Sequence, residues 1–223
     1  MWQAWEGDLR RWSRRHAEQL ALSAVVLAAL ILFGLLASEV LEGEALCFDR
    51  PILLWIHGFA SVPLDAAMRL IAWTGSLWAM LPLVALAMWL CRRRPRVVLY
   101  LLIANSSAAV LNAAAKQGFE RLRPAYWAPV VHESNYSFPS GHAMQTMAFV
   151  CALLMVRARP EGSLPMVVGA LYVMAVGASR LYLGAHFPSD VLAGWCVSLC
   201  WCWGLNLMMA PQRGPAALPD LRP

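Results

Sequence analysis

At 223 residues, 60% hydrophobic and only 14% charged, with a mean hydropathy of +0.55, the chain is too apolar for a water-soluble domain, in which about a quarter of residues are charged. Its formal net charge of +5 comes from arginines set between apolar runs, so it reads as a membrane-topology signal and implies no nucleic-acid partner.

The first apolar run, 20–38, follows a leader with Arg10, Arg11, Arg14 and Arg15. It exceeds the roughly 7–15 residues of a signal-peptide apolar region, which predicts a retained anchor. Next comes 51–67, PILLWIHGFASVPLDAA, where Ile52, Leu53, Trp55, Ile56 and Phe59 cluster near one helical face. That pattern predicts a short helix lying in the outer membrane interface. Pro63 and Asp65 argue against its simply extending the second span, 70–91.

A third span is predicted over 97–115, and fifth and sixth spans over 164–178 and 191–210. Each is near or slightly below the ~20 residues that cross hydrocarbon. The fourth, 143–156, is short and reaches a usable length only if its helix begins at about Ser140, with a polar first turn. Six spans place both termini on one side. Arg10, Arg11, Arg14, Arg15, Arg92, Arg93, Arg94, Arg96, Arg157, Arg159, Arg213 and Arg222, twelve of the eighteen basic residues, fall on that side. By the positive-inside rule it is cytoplasmic. The expected fold is all-α, one membrane domain over 1–210, followed by a proline-rich cytoplasmic tail over 211–223 expected to be disordered.

Five of the six cysteines lie inside predicted spans and only Cys47 lies outside, so no disulfide framework is implied. Cys196, Cys200 and Cys202 lack histidine or paired-cysteine spacing and do not read as a metal site. The longest outer connection, 116–139, is polar, aromatic and without period; loops of that length usually carry function.

The unusual polar residues all map to the outer ends of spans. Lys116 closes the third, with Arg123 seven residues later; Ser140, Gly141 and His142 open the fourth; Arg180 closes the fifth; His186 and Asp190 lead into the sixth. Lys116, Arg123 and Arg180 have only Asp190 as an evident acidic partner, so an external anion is their natural complement. Arginine forks and a lysine point charge suit phosphate oxygens. Ser140 can cap the helix, Gly141 permits close backbone approach, and the first amides of that helix can face the same anion. His186 and Asp190 are one helical turn apart, so the carboxylate can orient the ring and leave its other nitrogen as a nucleophile. His142 is then available to protonate a leaving oxygen. No cluster of hard oxygen ligands is present, and neither metal nor other cofactor is expected.

Three stretches in order, KQGFERLRP (Lys116 to Pro124), PSGH (Pro139 to His142) and SRLYLGAHFPSD (Ser179 to Asp190), resemble the motifs of the type 2 phosphatidic acid phosphatase superfamily, membrane lipid phosphate phosphatases that share a helical core with vanadium haloperoxidases. The resemblance implies a six-helix membrane fold and metal-independent hydrolysis through a phosphohistidine on His186. It further implies that His142 is the general acid and that Lys116, Arg123, Ser140, Gly141 and Arg180 hold the phosphoryl oxygens. Where bacterial relatives often read arginine-proline-arginine-proline, this chain has Arg121, Leu122, Arg123 and Pro124, which leaves Arg121 as an auxiliary phosphate contact.

Duller readings exist for each residue alone. Lys116 and Arg180 could snorkel, Ser140 could only cap, and Asp190 could only favour the helix dipole; His57 and His132 have no motif around them. An anionic-lipid transporter would also want cations, though it would hold them near the midplane between repeats. A phosphotransferase passing the phosphoryl group to a second lipid stays open. The expected substrate is a lipid phosphate arriving laterally from the bilayer past Tyr126, Trp127 and 51–67. A polyprenyl pyrophosphate or a glycerophospholipid phosphate is preferred over a lipid A phosphate. The composition reads as bacterial, which would put the chain in the inner membrane with a periplasmic site whose exposed groups do little for packing.

Overall fold

A computed structural model describes residues 2–43, 46–127, 131, 133, 135–156 and 162–209, the side chains of 2–16 and 18 excepted. The predicted arginine-bearing loop 157–159 and the tail 211–223 lie outside the described residues, as does His132. The described residues form eight helices and no strand: α1 (Trp2–Leu41), α2 (Asp49–His57), α3 (Val62–Thr74), α4 (Leu77–Leu90), α5 (Pro95–Phe119), α6 (Gly141–Met155), α7 (Leu164–Tyr182) and α8 (Pro188–Met209).

Four helical segments are long and apolar enough to cross a membrane: Gln19–Leu41, Pro95–Phe119, Leu164–Tyr182 and Pro188–Met209. A fifth crossing exists if α3 and α4, bent by 47° at their junction, act as one span. The polarity of the molecule is inverted relative to a soluble protein. Leu27, Leu35, Trp78, Leu86, Leu171 and Met174 are exposed, whereas Lys116, Arg180, His186 and Asp190 are buried. This is an integral membrane protein, its apolar outer surface solvated by lipid and its polar groups turned inward.

Two predicted elements differ from the structure. The second span is not one helix over 70–91, because α3 ends at Thr74 and α4 starts anew with Ser76 as its cap, the hydroxyl accepting from the Ala79 amide at 3.4 Å. Likewise 51–67 is two helices, with α2 closing before Gly58 and α3 opening at Val62. Pro63 and Asp65 do not break this segment but begin α3: a proline in the first turn forfeits no helical hydrogen bond, and an acid there favours the dipole. Tyr182 accepts from the Ser61 amide at 3.1 Å and donates to Asp65 at 2.6 Å, which fixes α3 against the end of α7. The segment expected as a short fourth span is α6, which opens just after Ser140 but at 15 residues is shorter than the helices long enough to cross a membrane.

The centre lies where α6 packs against α5 and α8. Ala104, Ala108, Ala148 and Ala152 are fully buried together with Leu101 and Cys202. Small residues let the backbones approach closely, which supplies dispersion contacts where lipid offers no hydrophobic drive. At one end of this bundle the C-termini of α1, α5 and α7 meet the N-termini of α6 and α8. Phe138, just ahead of α6, is completely buried there between Phe33 of α1, stacked at 6.2 Å, and Phe119 of α5, at 4.7 Å. It pins the loop that leads into Ser140. Phe138→Ala should therefore cost about 3–5 kcal/mol, read as a lower unfolding midpoint in detergent; an unchanged midpoint would remove Phe138 as the anchor.

Candidate active site

Local backbone turns bring the three motif stretches together. After Lys116 in the last turn of α5, Glu120 adopts a left-handed conformation (φ 47°) and turns the chain out of the helix, so that Arg121 and Arg123 run back over the bundle end. After Arg180, Gly184 takes φ 69° and reverses the chain towards His186; a Cβ there would meet the Trp127 indole nitrogen at 2.8 Å, so both conformation and space select glycine. The Ser140 amide donates to the Asp190 carbonyl at 3.0 Å, fastening the start of α6 to the start of α8.

The three expected phosphate cations do converge, and they converge on an acid that the sequence reading overlooked. Glu133, in the long polar connection, accepts from Arg180 through Oε1 and from Arg123 through Oε2, the latter at 2.6 Å. Asn135 accepts from Lys116 Nζ at 3.0 Å and from Arg123. Asp190 is thus not the acidic partner of these cations. Burial alone would raise the Glu133 carboxyl, but the guanidiniums of Arg180 and Arg123, with His186 and His142 also around it, more than offset that and hold it at about 2, the two arginines carrying the permanent charge. One carboxylate therefore sits among four of the groups singled out from sequence.

His186 is fully buried. Its Nδ1 lies 3.4 Å from Asp190 Oδ2, a long contact, and its Nε2 lies 3.3 Å from Arg123 Nη1. With a carboxylate beside Nδ1, the proton belongs on that nitrogen and Nε2 carries the lone pair towards the cationic pocket. Burial first, then Arg180 and Arg123, push the His186 ring well below its ordinary value of 6.5, so it is neutral at physiological pH. His142, in the first turn of α6, is half-buried and its ring makes no hydrogen bond among the described residues.

Two buried polar atoms here have no hydrogen-bond partner among the described residues: the Ser140 hydroxyl and Arg180 Nε. Ser140 does not cap α6 through its side chain, contrary to expectation. Gly141 is selected by a neighbour: a Cβ would meet Asn112 Oδ1 at 2.9 Å, and Asn112 in turn donates to the Pro139 carbonyl at 2.9 Å. Unpartnered donors beside clustered guanidiniums mark a place where an anion would complete the bonding.

Arg121 faces elsewhere. Its guanidinium donates to Asp190 Oδ1 at 2.5 Å, to the Ser189 hydroxyl at 2.7 Å and to Asp49 Oδ2 at 2.8 Å, with Phe187 stacked 4.2 Å beneath it. Neither Asp49 nor Ser189 stood out in the sequence, since one is an outer-loop acid and the other a helix-start serine. The expected exposed site is also corrected, because Lys116, Arg180, His186 and Asp190 are all buried. At the rim Trp127 stacks on His57 at 4.1 Å, while Tyr126 lies 6.3 Å from Phe187 and under Arg50. Among the described residues no group of histidine, cysteine, aspartate and glutamate is arranged to hold a metal ion.

Comparison with known proteins places this geometry. A model of the PAP2 superfamily matches residues 96–213. The chain is 37% identical over 107 residues to phosphatidylglycerophosphatase B of Bacillus subtilis, covering 45% of this chain and 52% of that protein. It is 28% identical over 137 residues to an undecaprenyl-diphosphatase of Sulfolobus acidocaldarius, covering 59% and 64%. The matched part thus spans about half to two thirds of the length of these curated relatives. A crystal structure of a transmembrane PAP2-type phosphatidylglycerolphosphate phosphatase from Bacillus subtilis superposes with a TM-score of 0.71 at 28% identity, over 82% of this chain and 94% of that one.

Because the Glu133 carboxylate occupies the guanidiniums that an anion would use, Glu133→Gln should tighten orthophosphate binding about tenfold, roughly 1.4 kcal/mol. Calorimetry checks this, and unchanged or weaker binding would show that Glu133 does not compete with the anion.

Proposed function

We propose that this chain, which belongs to the PAP2 superfamily, hydrolyses a phosphate or pyrophosphate carried by a membrane lipid, through a phosphohistidine on His186 and without a metal ion. The observation that carries the reading is the Glu133 carboxylate held between Arg180 and Arg123, whose guanidinium also lies 3.3 Å from the Nε2 of His186. A phosphoryl group seated in its place would present oxygens to both guanidiniums and to Lys116, with the Ser140 hydroxyl and Arg180 Nε free to donate to it.

In the first step the Nε2 lone pair attacks phosphorus and the bond from phosphorus to the lipid oxygen breaks. His142, which takes up a proton when the anionic substrate enters beside it, gives that proton to the departing oxygen. In the second step His142, now neutral, takes a proton from water, the hydroxide attacks phosphorus, and the phosphorus–nitrogen bond breaks to release inorganic phosphate and the neutral His186 ring. The cations stabilise charge gathering on the equatorial oxygens, which is the main demand of phosphoryl transfer. Asp190 orients His186 and balances the charge its ring acquires when phosphorylated.

A lipid substrate fits the apolar exterior. The two named relatives act on a glycerophospholipid phosphate and a polyprenyl pyrophosphate, and one of these two classes is the proposed substrate. The proposed topology has six crossings, counting the bent pair and the short α6. Both termini and Arg92, Arg93, Arg94 and Arg96 are cytoplasmic, and the site is at the periplasmic face of a bacterial inner membrane.

The test is phosphate release by purified protein in detergent with EDTA, from undecaprenyl pyrophosphate, phosphatidylglycerol phosphate, phosphatidic acid and lipid A. His186→Ala should lower kcat by more than about 10³-fold and remain folded, while EDTA changes nothing. Hydrolysis surviving in that variant would remove the nucleophile, and rescue of an EDTA-inhibited enzyme by a divalent ion would overturn the metal-free mechanism. The depressed His186 ring stays unprotonated as pH falls through 6.5. The low-pH limb of kcat/KM assigned to it should therefore lie below that value; a limb above 6.5 that shifts with substitutions around His186 would contradict this.

A further inference from the structure

Asp49 opens α2, outside residues 96–213 that the family match covers, yet it is buried against the helix that carries Asp190. Its Oδ1 accepts from the Ser189 amide at 2.9 Å, and its Oδ2 accepts from the Ser189 hydroxyl at 2.6 Å and from Arg121 Nη2 at 2.8 Å. The other nitrogen of the same guanidinium reaches Asp190 Oδ1, and Asp190 Oδ2 faces His186 Nδ1. Asp49, Ser189, Asp190 and His186 are all essentially inaccessible, and the Arg121 side chain is 12% exposed. A continuous buried line thus runs Asp49, Arg121, Asp190, His186.

Charge balance gives this line a role. Were Arg121 paired with Asp190 alone, the two would neutralise each other, and no net negative charge would stand on the Nδ1 side of His186 when its ring becomes cationic on taking a phosphoryl group. Asp49 supplies the second carboxylate. Two carboxylates against one guanidinium leave one net negative charge behind His186, in a setting where water cannot screen it.

We infer that Asp49 is a positioning residue for catalysis: it engages Arg121 so that Asp190 keeps the orientation and net charge needed to stabilise His186 in its phosphorylated, cationic form. The inference rests on the phosphohistidine reading given above. It goes beyond that reading by bringing α2 into the chemistry, and it reassigns Arg121 from a substrate contact to the bridge between two acids.

A structural role must be separated from this one, because Asp49 also accepts from the first-turn amide of α8, and its loss will lower stability whatever its catalytic part. Orthovanadate and orthophosphate make the separation. Vanadate takes a fifth bond from the attacking nitrogen and resembles the transferring phosphoryl group, whereas phosphate reports only ground-state anion binding. Affinities for both are measured by calorimetry on the full chain in detergent, alongside kcat and KM for dioctanoyl phosphatidic acid. Asp49→Asn should weaken vanadate by about tenfold or more and lower kcat by roughly 10- to 100-fold, the size seen for outer partners of functional histidines. Phosphate affinity and KM should stay near wild type.

The deciding variant is Asp49→Asn/Arg121→Gln, which removes one charge of each sign and returns the cluster to a net negative charge. It should recover most of the vanadate affinity that Asp49→Asn loses. A double variant no better than the single one, or vanadate and phosphate weakening together, would overturn the proposal and leave Asp49 as a helix anchor. Should Asp49→Asn not fold, Asp49→Glu keeps the charge and should keep the wild-type ratio of vanadate to phosphate affinity; loss of that ratio is equally fatal. Wild-type protein that binds vanadate but hydrolyses no lipid phosphate would sink the hydrolase reading alone, because the vanadate comparison does not depend on turnover.

Discussion

Charged side chains buried at the end of a membrane bundle must be neutralised by one another or by a ligand, and the organisation of this protein follows from that constraint. Removing one partner from a buried ion pair costs about 3–5 kcal/mol, because the survivor keeps its desolvation penalty. Here the charges fall into two groups on either side of His186. On one side Asp49, Arg121 and Asp190 form a closed, slightly negative set. On the other, Arg123 and Arg180 share the Glu133 carboxylate and Lys116 donates to Asn135, so that among the described residues this group remains net positive.

The imbalance between the groups is what makes the site chemical. A histidine with negative charge behind one nitrogen and positive charge before the other is polarised in the direction in which phosphoryl transfer moves charge. The positive side has capacity for an anion, with the Ser140 hydroxyl and Arg180 Nε unpartnered among the described residues. The negative side has none, since every oxygen of Asp49 and Asp190 is already accepting. A phosphate would therefore be drawn to one face of the ring and refused by the other.

Holding such groups in place demands rigidity from elements that do no chemistry. The alanine-lined contacts of α6 with α5 and α8 set the spacing of the helix ends. Phe138, wedged between Phe33 and Phe119, fixes the approach to Ser140. The hydrogen bonds of Tyr182 to Ser61 and Asp65 hold α3 against the turn that carries Arg180 towards His186. Phe119 and Tyr182 lie within the motif stretches but outside their polar site residues, the others lie outside the motifs altogether, and each acts by limiting where a site residue can go.

The sequence by itself determined the membrane character, the order of the apolar helices, the short α6 and the set of polar residues whose spacing points to phosphate chemistry. These depend on composition and on helical periodicity, which are local properties of the chain. It misread the second span and the segment before it, because Pro63, Asp65 and Ser76 signal a helix start as readily as a break, and only the packing against α7 decides between them. Glu133, Asp49 and Ser189 could not be found, because an acid in a loop carries no sign of which cation it will meet, and the three lie far apart in the chain. Arg121 sits two residues from Arg123, the expected phosphate ligand, in sequence yet turns to the opposite side of His186. Only the tertiary structure decided that, since two residues along an extended segment point the same way only if nothing nearby pulls one aside, and here two buried carboxylates do.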